Sequence, residues 1–570
     1  MEFFKKKKTD NLVKMKTIML KADNRSKAVL LSIMFISFFS LASAQNISIK
    51  INKRFLNLPI SQKVDRKKMT FEVDGKPERS FVIRLANAES EYWVFCDVTA
   101  LKGKTLKINY EGDASGLKKI YQADEINGQD SIYKEENRPQ FHFTTKRGWI
   151  NDPNGMIFYE GEYHLFYQHN PYEREWENMS WGHAVSKDMV HWQELPTALL
   201  PDEHGTMFSG STVIDYDNTA GFNKGNTPAM VAAYTANTAD KQTQCIAYSL
   251  DKGRTWTKYT KNPIIDSKAK WNSVDTRDPR LFWYKPGKHW VMVLNERDGH
   301  SIYNSKNLKD WTFESHTTGF WECPDLLELP VDGDKNKTKW VMYGASNTYM
   351  IGSFDGQKFT PETGKHYYTT GSIYAAQTFT NIPESDGRRI QIGWSRISHR
   401  GMPFNGMMLM PTELKLKTTK DGIRLFSTPV KENEQLFTSE NKWTNIKAKD
   451  ATEHLKAINN NNILRIKTKI KLSHATSAGL SLNGQRIFDY DMNFNLVNGV
   501  FYSPEDMTSM EISADIFIDK TSVEVFIDGG AYSYSMERKQ DPKNKDGFSF
   551  FGNNIEVKEL EVFSVKSIWK

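Results

Sequence analysis

The chain of 570 residues contains only three cysteines, Cys96, Cys245 and Cys323. An odd count leaves at least one thiol unpaired, so disulfides cannot be the main element that holds the fold together. No spacing of cysteine and histidine fits a zinc site, and the sequence predicts neither a metal site nor a cofactor. Stability must therefore come from hydrophobic cores, and a chain of this length is expected to form about two to four domains.

Excess charge of one sign is also lacking over most of the chain. The formal net charge is +7, but residues 1–44 hold nine Lys and Arg against three Asp and Glu, which leaves the remainder close to neutral. A nearly neutral chain with no basic patch does not favour nucleic acid as a partner.

Apolar runs of membrane-spanning length are missing as well. The run over residues 28–41 is short for a span; it follows a basic stretch ending at Lys27 and precedes the small residues Ala42-Ser43-Ala44. This arrangement predicts an export signal over residues 1–44. The mature chain is then expected to have no membrane span and to be periplasmic or secreted.

Aromatic residues, in contrast, are abundant, with 15 Trp, 23 Tyr and 33 Phe. Such a content is typical of β-rich folds and of surfaces that bind the apolar faces of sugars.

Short apolar strands recur along the middle of the chain, at 163–170, 230–237, 289–296, 339–346 and 390–397. The first four are each followed by a serine and then an aromatic residue across a polar turn, at 186–192, 249–256, 305–311 and 353–359.

The spacing of these repeats falls from about 63 to about 48 residues, the length of a four-stranded propeller blade. We therefore predict an all-β chain with a five-bladed β-propeller over residues 136–430. Residues 45–135 show a different strand pattern and predict a small N-terminal β-domain, joined by the charged stretch 133–141 as a linker. Residues 431–570 predict a C-terminal β-sandwich.

Three acids stand at equivalent places ahead of repeat strands. Asp152 lies in "WINDPNG", Asp278 in "VDTRDPRLFWY" and Glu322 in "GFWECPDLLEL". Each of them alone reads as a turn residue, because Asp, Asn, Pro and Gly clusters are mostly loops. Three acids in equivalent settings, each leading into an aromatic strand, instead indicate a shared site at the centre of the propeller.

These stretches resemble the three signature blocks of glycoside hydrolase family 32, the invertases, levanases and inulinases. The resemblance extends over residues 138–570 and includes "FYQHNP", "FSGS" and "SVEVFIDGG". It implies cleavage of β-fructosyl bonds with retention, with Asp152 as the nucleophile, Glu322 as the acid/base and Asp278 as the stabiliser of the transition state. It also implies a fructose pocket formed by Trp149, Asn151, Gln168, Trp176, Phe208, Ser209 and Arg277.

Retaining hydrolysis requires one ionised carboxyl group and one that carries a proton. Glu322 is flanked by Phe320, Trp321 and Cys323, an apolar setting that favours the neutral acid, whereas Asn151 is a polar neighbour that favours ionised Asp152.

The chain departs from the family pattern at three places. Ser180 stands where the family often has His, and Thr276 where it commonly has an aromatic residue. The segment "TTGSI" (369–373) lacks the Asp that in the invertase-like members helps to hold the leaving glucose. The last departure favours fructan chains or fructo-oligosaccharides over sucrose.

Two other functions remain as alternatives. The stretch "SLDKGRTW" (249–256) fits the Asp-box turn of sialidase-type propellers, but nothing identifies the tyrosine nucleophile or the arginine cluster of a sialidase. A non-catalytic sugar-binding protein would have no need of all three acids. Within the family, exo-acting release of fructose is the expectation and endo-levanase action the alternative; levan or inulin preference and the oligomeric state stay open.

Overall fold

The computed structural model describes residues 45–458, 463–472, 477–502, 510–539 and 546–569. Within these ranges the chain is mostly β, and its two α-helices are short: α1 (Ser267–Trp271) and α2 (Ala448–Ala457). The expected export signal, residues 1–44, lies outside the described residues. None of the helices described in the chain is long and apolar enough to cross a membrane.

Two antiparallel sheets form the N-terminal region, one of four strands in the order β1-β6-β3-β4 and one of three in the order β5-β2-β7. Alternate residues of these strands are buried and share one hydrophobic cluster, which includes Leu56, Phe71 and Ile108. The strands are β1 (Gln45–Lys50), β2 (Phe55–Ile60), β3 (Lys67–Val73), β4 (Lys76–Ile83), β5 (Tyr92–Asp97), β6 (Thr105–Tyr110) and β7 (Tyr121–Ala123).

Five groups of four sequential, antiparallel strands follow, and the fourth and fifth groups are joined by one parallel pairing. The first three are β8 (Gly148–Tyr159), β9 (Glu162–Asn170), β10 (Ser180–Ser186) and β11 (Gln193–Leu199); β12 (Thr206–Asp215), β13 (Ala229–Asn237), β14 (Gln242–Ser249) and β15 (Thr257–Lys258); β16 (Thr276–Tyr284), β17 (His289–Glu296), β18 (Gly299–Ser305) and β19 (Thr312–Thr318).

The fourth group contains β20 (Asp325–Val331), β21 (Asp334–Tyr343), β22 (Thr348–Phe354) and β23 (Phe359–Pro361). After the short strands β24 (His366–Tyr367) and β25 (Thr369–Gly371), the fifth group contains β26 (Ile373–Thr378), β27 (Arg389–Ser395), β30 (Thr412–Thr419) and β31 (Gly422–Pro429). The two-residue strands β28 (Phe404–Asn405) and β29 (Met407–Met408) add to the edges of β8 and β27.

The repeated serine-to-aromatic stretches are turns between the third and fourth strands of the first four groups. In the second group, Ser249 Oγ donates to Asp251 Oδ1 at 2.7 Å and Trp256 Nε1 donates to the carbonyl of Gly253 at 3.0 Å. The same two bonds recur in the first and third groups, from Ser186 to Asp188 and Trp192 to Met189, and from Ser305 to Asn307 and Trp311 to Leu308. The sequence repeat thus has a structural cause.

The first strands of the five groups lie next to one another and are joined by buried side chains. Each of these bonds satisfies a polar group that the core would otherwise leave unpaired. The bonds are Ser211 Oγ to the Pro279 carbonyl, Thr380 Oγ1 to the Met156 and Thr212 carbonyls, Arg280 Nη1 to the Thr378 carbonyl, Thr378 Oγ1 to Asp325 Oδ2, and the Arg280–Asp325 ion pair at 3.0 Å.

Two further sheets pack face to face in the C-terminal region, with the orders β25-β40-β39-β38-β33-β42-β32 and β37-β36-β35-β34-β41. Their inward side chains form one cluster with residues of α2. The strands are β32 (Phe437–Lys447), β33 (Leu464–Leu472), β34 (Ser477–Leu482), β35 (Gln485–Asp491), β36 (Leu496–Val497), β37 (Val500–Phe501), β38 (Glu511–Ile518), β39 (Ser522–Ile527), β40 (Tyr532–Glu537), β41 (Phe548–Phe551) and β42 (Ile555–Val565).

A buried histidine connects the C-terminal sheets to the start of the central region. His142 Nδ1 lies 2.7 Å from Asp519 Oδ2, and His142 Nε2 lies 2.6 Å from Glu524 Oε1. Burial alone would lower the pKa of His142, but the hydrogen bonds to the two carboxylates outweigh it and raise the pKa to about 9. The imidazolium therefore donates to both acids at neutral pH.

The stretch 133–141, which the sequence suggests is a linker, is packed against the body of the protein. Arg138 is fully buried, pairs with Glu135 at 2.8 Å and lies 3.5 Å from the centre of the Phe404 ring. Tyr133 stacks on Trp569 with ring centroids 4.1 Å apart. The charged residues that suggested an exposed linker are satisfied by one another and by aromatic faces.

Candidate active site

Asp152 projects from a β-bulge near the start of β8. Ile150 pairs with His169 and Pro153 with Tyr167, so that Asn151 and Asp152 together face the single residue Gln168. A bulge of this kind bends the strand and re-aims a side chain that regular pairing would place elsewhere. The Asp-Pro-Asn-Gly sequence, which reads as a turn, is therefore part of a strand here. Asp152 Oδ2 accepts a hydrogen bond from Ser209 Oγ at 2.8 Å, and Oδ1 accepts one from Asn151 Nδ2 at 3.1 Å.

Asp278 lies at an equivalent bulge in β16. The register with β17 breaks between Arg277 and Arg280, and Asp278 has a φ of 64°, in the left-handed region that few non-glycine residues adopt. Its side chain is 6% exposed, and Oδ2 accepts a hydrogen bond from the backbone N–H of Cys323 at 2.9 Å. Strained backbone at a buried acid is typical of a functional site.

Glu322 precedes β20 in a segment whose backbone is also left-handed, with φ of 50° at Glu322 and 41° at Cys323. Arg277 Nη2 donates to Glu322 Oε1 at 2.5 Å, and the hydroxyl of Tyr374 donates to Oε2. The backbone N–H of Glu322 donates to Asn295 Oδ1 at 2.9 Å. Both carboxylate oxygens therefore have defined partners.

The sequence predicts an apolar setting for Glu322, and this prediction is wrong for its carboxyl group. Phe320 is buried with a 3% exposed side chain, but Trp321 is 44% exposed and lies over the Arg277 guanidinium. The left-handed backbone turns the carboxyl away from these sequence neighbours and toward Arg277 and Tyr374. The carboxyl group therefore lies among polar donors and not in an apolar pocket.

The two aspartates are electrostatically coupled. Burial raises the pKa of Asp278 to about 7; the neighbouring Arg277 opposes the rise, and the charges of Asp152 and Glu322 add to it. Burial also raises the pKa of Asp152, against the opposing hydrogen bonds from Ser209 and Asn151. Since like charges at one site disfavour full ionisation, a proton is retained within this group of acids near neutral pH.

The structure brings most of the expected pocket residues to this group. Trp149 Nε1 donates to Asn151 Oδ1 at 2.8 Å, which orients the amide that donates to Asp152. Phe208 lies edge-on to the half-exposed ring of Trp176, with centroids 6.0 Å apart. Gln168 is 2% exposed, and among the residues that the structure describes its Nε2 has no hydrogen-bond partner.

Cys323 is a further residue of the site, although in the sequence it stands out only as an apolar neighbour of Glu322. Its Sγ lies 3.7 Å from Asp152 Oδ2 and 3.5 Å from Asp278 Oδ2. Burial raises the pKa of Cys323 well above its usual range, so the sulfur keeps its proton and acts as a weak donor. The only feature of the sequence that could have identified Cys323 as a site residue is its position immediately after Glu322.

Three further residues were missed because they come from other strands. Tyr374 and Asn295 hold Glu322 as described above, and Gln242 Oε1 accepts hydrogen bonds from the N–H of Thr276 at 2.9 Å and from Arg277 Nη1 at 3.2 Å. None of them lies in a recognisable motif with the acids, and only the pairing of strands reveals them.

Among the described residues, no group of three or more His, Cys, Asp or Glu side chains is arranged to hold a metal ion. The acids instead pair with Arg277, Ser209 and Tyr374. Two carboxyl groups with different partners, Asp152 bonded to neutral donors and Glu322 to an arginine and a tyrosine hydroxyl, can perform nucleophilic and acid/base chemistry on a glycosidic bond.

Comparison with known proteins agrees with this chemistry. Residues 142–429 match the family described as "Glycosyl hydrolases family 32 N-terminal domain". A levanase from Bacillus subtilis is 39% identical over 492 residues, covering 77% of this chain and 72% of that protein. An extracellular exo-inulinase from Aspergillus niger is 32% identical over 523 residues, covering 77% of this chain and 96% of that protein.

Solved structures show the same fold. The crystal structure of exo-inulinase from Aspergillus awamori superposes with a TM-score of 0.65 and 27% identity, covering 77% of this chain and 100% of that chain. A fructofuranosidase from Schwanniomyces occidentalis complexed with fructose gives a TM-score of 0.65 and 25% identity, covering 76% of this chain and 99% of that chain.

Proposed function

The chain belongs to glycoside hydrolase family 32 and is a β-fructofuranosidase-type glycosidase, and from this premise we propose that it is a retaining fructan β-fructosidase that releases fructose from chain ends. The observation that carries the proposal is the convergence of Asp152, Asp278 and Glu322 within one hydrogen-bonded site. Two of these acids project from bulged strands, where a structural turn residue would not be needed.

The reaction follows from the partners of each acid. Asp152 attacks the anomeric carbon of the fructosyl unit while the bond to the leaving oxygen breaks and Glu322 gives that oxygen its proton. Glu322, now ionised and held by Arg277 and Tyr374, takes a proton from water. That water displaces Asp152 and completes the hydrolysis. Buried Asp278 binds fructose hydroxyls whose contacts strengthen in the transition state.

Fructan rather than sucrose is the proposed substrate. Thr369 stands where invertase-like relatives carry the Asp that holds the leaving glucose; it is 4% exposed and pairs with Ser533 of the C-terminal sheet. A threonine at this position offers no carboxylate to a leaving glucose. The levanase and the exo-inulinase among the similar proteins support a fructan substrate, and the exo-inulinase supports exo action. Endo action on levan is the alternative.

The architecture proposed from the sequence has the same basis. We infer that the five four-stranded groups are the blades of a propeller over residues 136–430, because their first strands are joined side by side. Residues 45–135 are proposed as an N-terminal β-domain and 431–570 as a β-sandwich, since each has its own hydrophobic cluster. The serine-aspartate turns are structural and give no support to a sialidase. The extracellular exo-inulinase relative supports export.

Product analysis tests the proposal. The purified protein is incubated with levan, inulin, sucrose and a sialoside, and the products are separated by chromatography over time. We expect fructose as the sole early product from a fructan, with slower release from sucrose and none from the sialoside. Early oligosaccharides from levan would establish endo action, and equal rates on sucrose would contradict the fructan preference. Asp152→Asn, the matched inactive control, should release nothing because an amide cannot attack.

A further inference from the structure

The N-terminal sheets make ion pairs and hydrogen bonds with the loop that contains Trp176. We define the Trp176 loop as residues 171–178, "PYEREWEN", between β9 and β10. Its Glu173 has a fully buried side chain, which accepts a hydrogen bond from Arg66 Nε at 2.8 Å. The same carboxylate accepts the backbone N–H of Arg84 at 2.8 Å and Arg84 Nη1 at 2.9 Å. Two arginines of the N-terminal sheets thus hold one buried acid of the loop.

A second acid of the loop extends this contact to the surface. Glu175 Oε2 lies 2.8 Å from Arg66 Nη2 and 3.0 Å from Arg84 Nη1, so each arginine bridges both acids. Burial raises the pKa of Glu173, and the ion pairs with Arg66 and Arg84 oppose that rise. Removing one partner of a buried ion pair leaves a charge that the interior cannot solvate, so the loop depends on these two arginines.

Backbone and ring contacts fix the two ends of the loop. The side chain of Asn178 donates to the carbonyl of Val82 and accepts its N–H, both at 2.9 Å, as a further strand would. Tyr172 stacks on Phe81 with ring centroids 3.7 Å apart and belongs to the N-terminal hydrophobic cluster. The loop is therefore as much a part of the N-terminal packing as of the central sheets.

The Trp176 loop is connected to Asp152 through Phe208 and Ser209. Trp176, next to Glu175, is 49% exposed and its ring meets the edge of Phe208. Ser209 follows Phe208 and donates to Asp152. An exposed indole in this position offers an apolar face to a sugar ring. The contacts of the N-terminal sheets with the Trp176 loop, together with the central sheets, determine where this indole lies.

We propose that the N-terminal sheets form part of the substrate site, with Arg66 and Arg84 as positioning residues that hold Trp176 against the bound fructan. The proposal rests on the proposed function, because it takes Trp176 as a contact of the substrate. The arginines do not touch the reacting atoms. Their loss weakens substrate binding while the acids and their partners stay in place.

Kinetics on levan or inulin test this role. Arg84→Ala and Arg66→Ala should each raise KM by about three- to tenfold, the equivalent of one weakened aromatic contact, with kcat within about twofold of the parent. Arg54→Ala is the matched control, because Arg54 is also a paired arginine of these sheets, 3.1 Å from Asp97, and does not contact the loop. It should leave KM unchanged. Arg84→Lys, which keeps one charged donor, should restore part of the affinity.

A double-mutant cycle shows whether the arginine acts through the tryptophan. Trp176→Ala should raise KM at least as much as Arg84→Ala, and the combined variant should be no worse than Trp176→Ala alone. Additive effects, or a loss confined to kcat, would overturn the proposal. Thermal unfolding identifies variants that fail to fold. If Arg84→Ala is one of them, the KM of Arg84→Lys compared with that of the parent tests the positioning role instead. If the parent protein hydrolysed no fructan, the proposed function would fail; an active parent with Arg84→Ala unchanged in KM would refute only the positioning role.

Discussion

Replacement of Ser209 by alanine isolates the electrostatics of Asp152, the proposed nucleophile. Ser209 Oγ donates to Asp152 Oδ2 at 2.8 Å and opposes the rise in the pKa of Asp152 that burial causes. A hydrogen bond to a charged group contributes about 1.5–3 kcal/mol. Asp152 keeps the donor of Asn151, and water can enter the space of the lost hydroxyl, so we expect the smaller end of this range to be lost.

The sign of the effect follows from which form reacts. In the proposed mechanism only ionised Asp152 attacks. The hydrogen bond from Ser209 stabilises that form, so its removal raises the pKa of Asp152 further. The acid limb of kcat/KM, which reports the free enzyme, should move upward by about one pH unit, since about 1.4 kcal/mol corresponds to one unit. At pH values above this limb, activity should approach that of the parent.

The assay is kcat/KM for fructan hydrolysis measured across the acid range, for the parent, Ser209→Ala and Ser209→Thr, which keeps the hydroxyl. Ser186→Ala is the matched control, because it removes a serine–aspartate bond of 2.9 Å in a distant turn. The threonine variant and the control should follow the parent profile. An acid limb that stays in place or moves to lower pH in Ser209→Ala would refute the reasoning.

Three other changes test separate parts of the structure. Asp278→Asn should lower kcat by about a hundredfold or more with little change in KM, since hydroxyl contacts made in the transition state supply several kcal/mol; a change in KM alone would make Asp278 a ground-state binder. Tyr374→Phe, which removes the hydroxyl bonded to Glu322, should lower kcat by about tenfold; unchanged kcat would exclude a catalytic role for that bond. The pKa of His142 is raised to about 9 in the folded protein, so its stabilisation is complete below about pH 6.5 and is lost as pH rises through 9. The free energy of unfolding, from urea titrations, should fall by roughly 3 kcal/mol across this window, and His142→Gln should lack that fall.

The sequence predicted the strand groups because their signal is local. Each repeat contains its own strand, and in the first four a serine begins the turn that follows; the turn bonds of Ser249 and Trp256 are made within eight residues. The bulges that aim Asp152 and Asp278 are different, because they depend on the register with Gln168 and with β17. That register is a property of paired strands and leaves no mark on a single stretch of sequence.

The contacts of Glu322 and of the Trp176 loop could not be predicted from neighbouring residues in the sequence, because their partners are distant in the chain. Glu322 has apolar sequence neighbours, but its carboxyl contacts Arg277 and Tyr374, which lie 45 and 52 residues away in the chain. Glu173 lies in a highly charged stretch typical of a solvated loop, yet it is buried because Arg66 and Arg84 arrive from another sheet. Charge that looks exposed in the sequence can be paired in the fold.

Chemical rescue of Glu322→Ala tests the central claim most directly. A fructoside with a nitrophenol leaving group needs little protonation, so this variant should still form the covalent intermediate on Asp152, but its release should be slow because no base activates water. Azide needs no base and is no longer repelled by the carboxylate. We expect azide to restore turnover and to give a fructosyl azide of retained configuration, the result of two inversions. Absence of rescue would contradict the acid/base role of Glu322, and an inverted azide would contradict the nucleophilic role of Asp152.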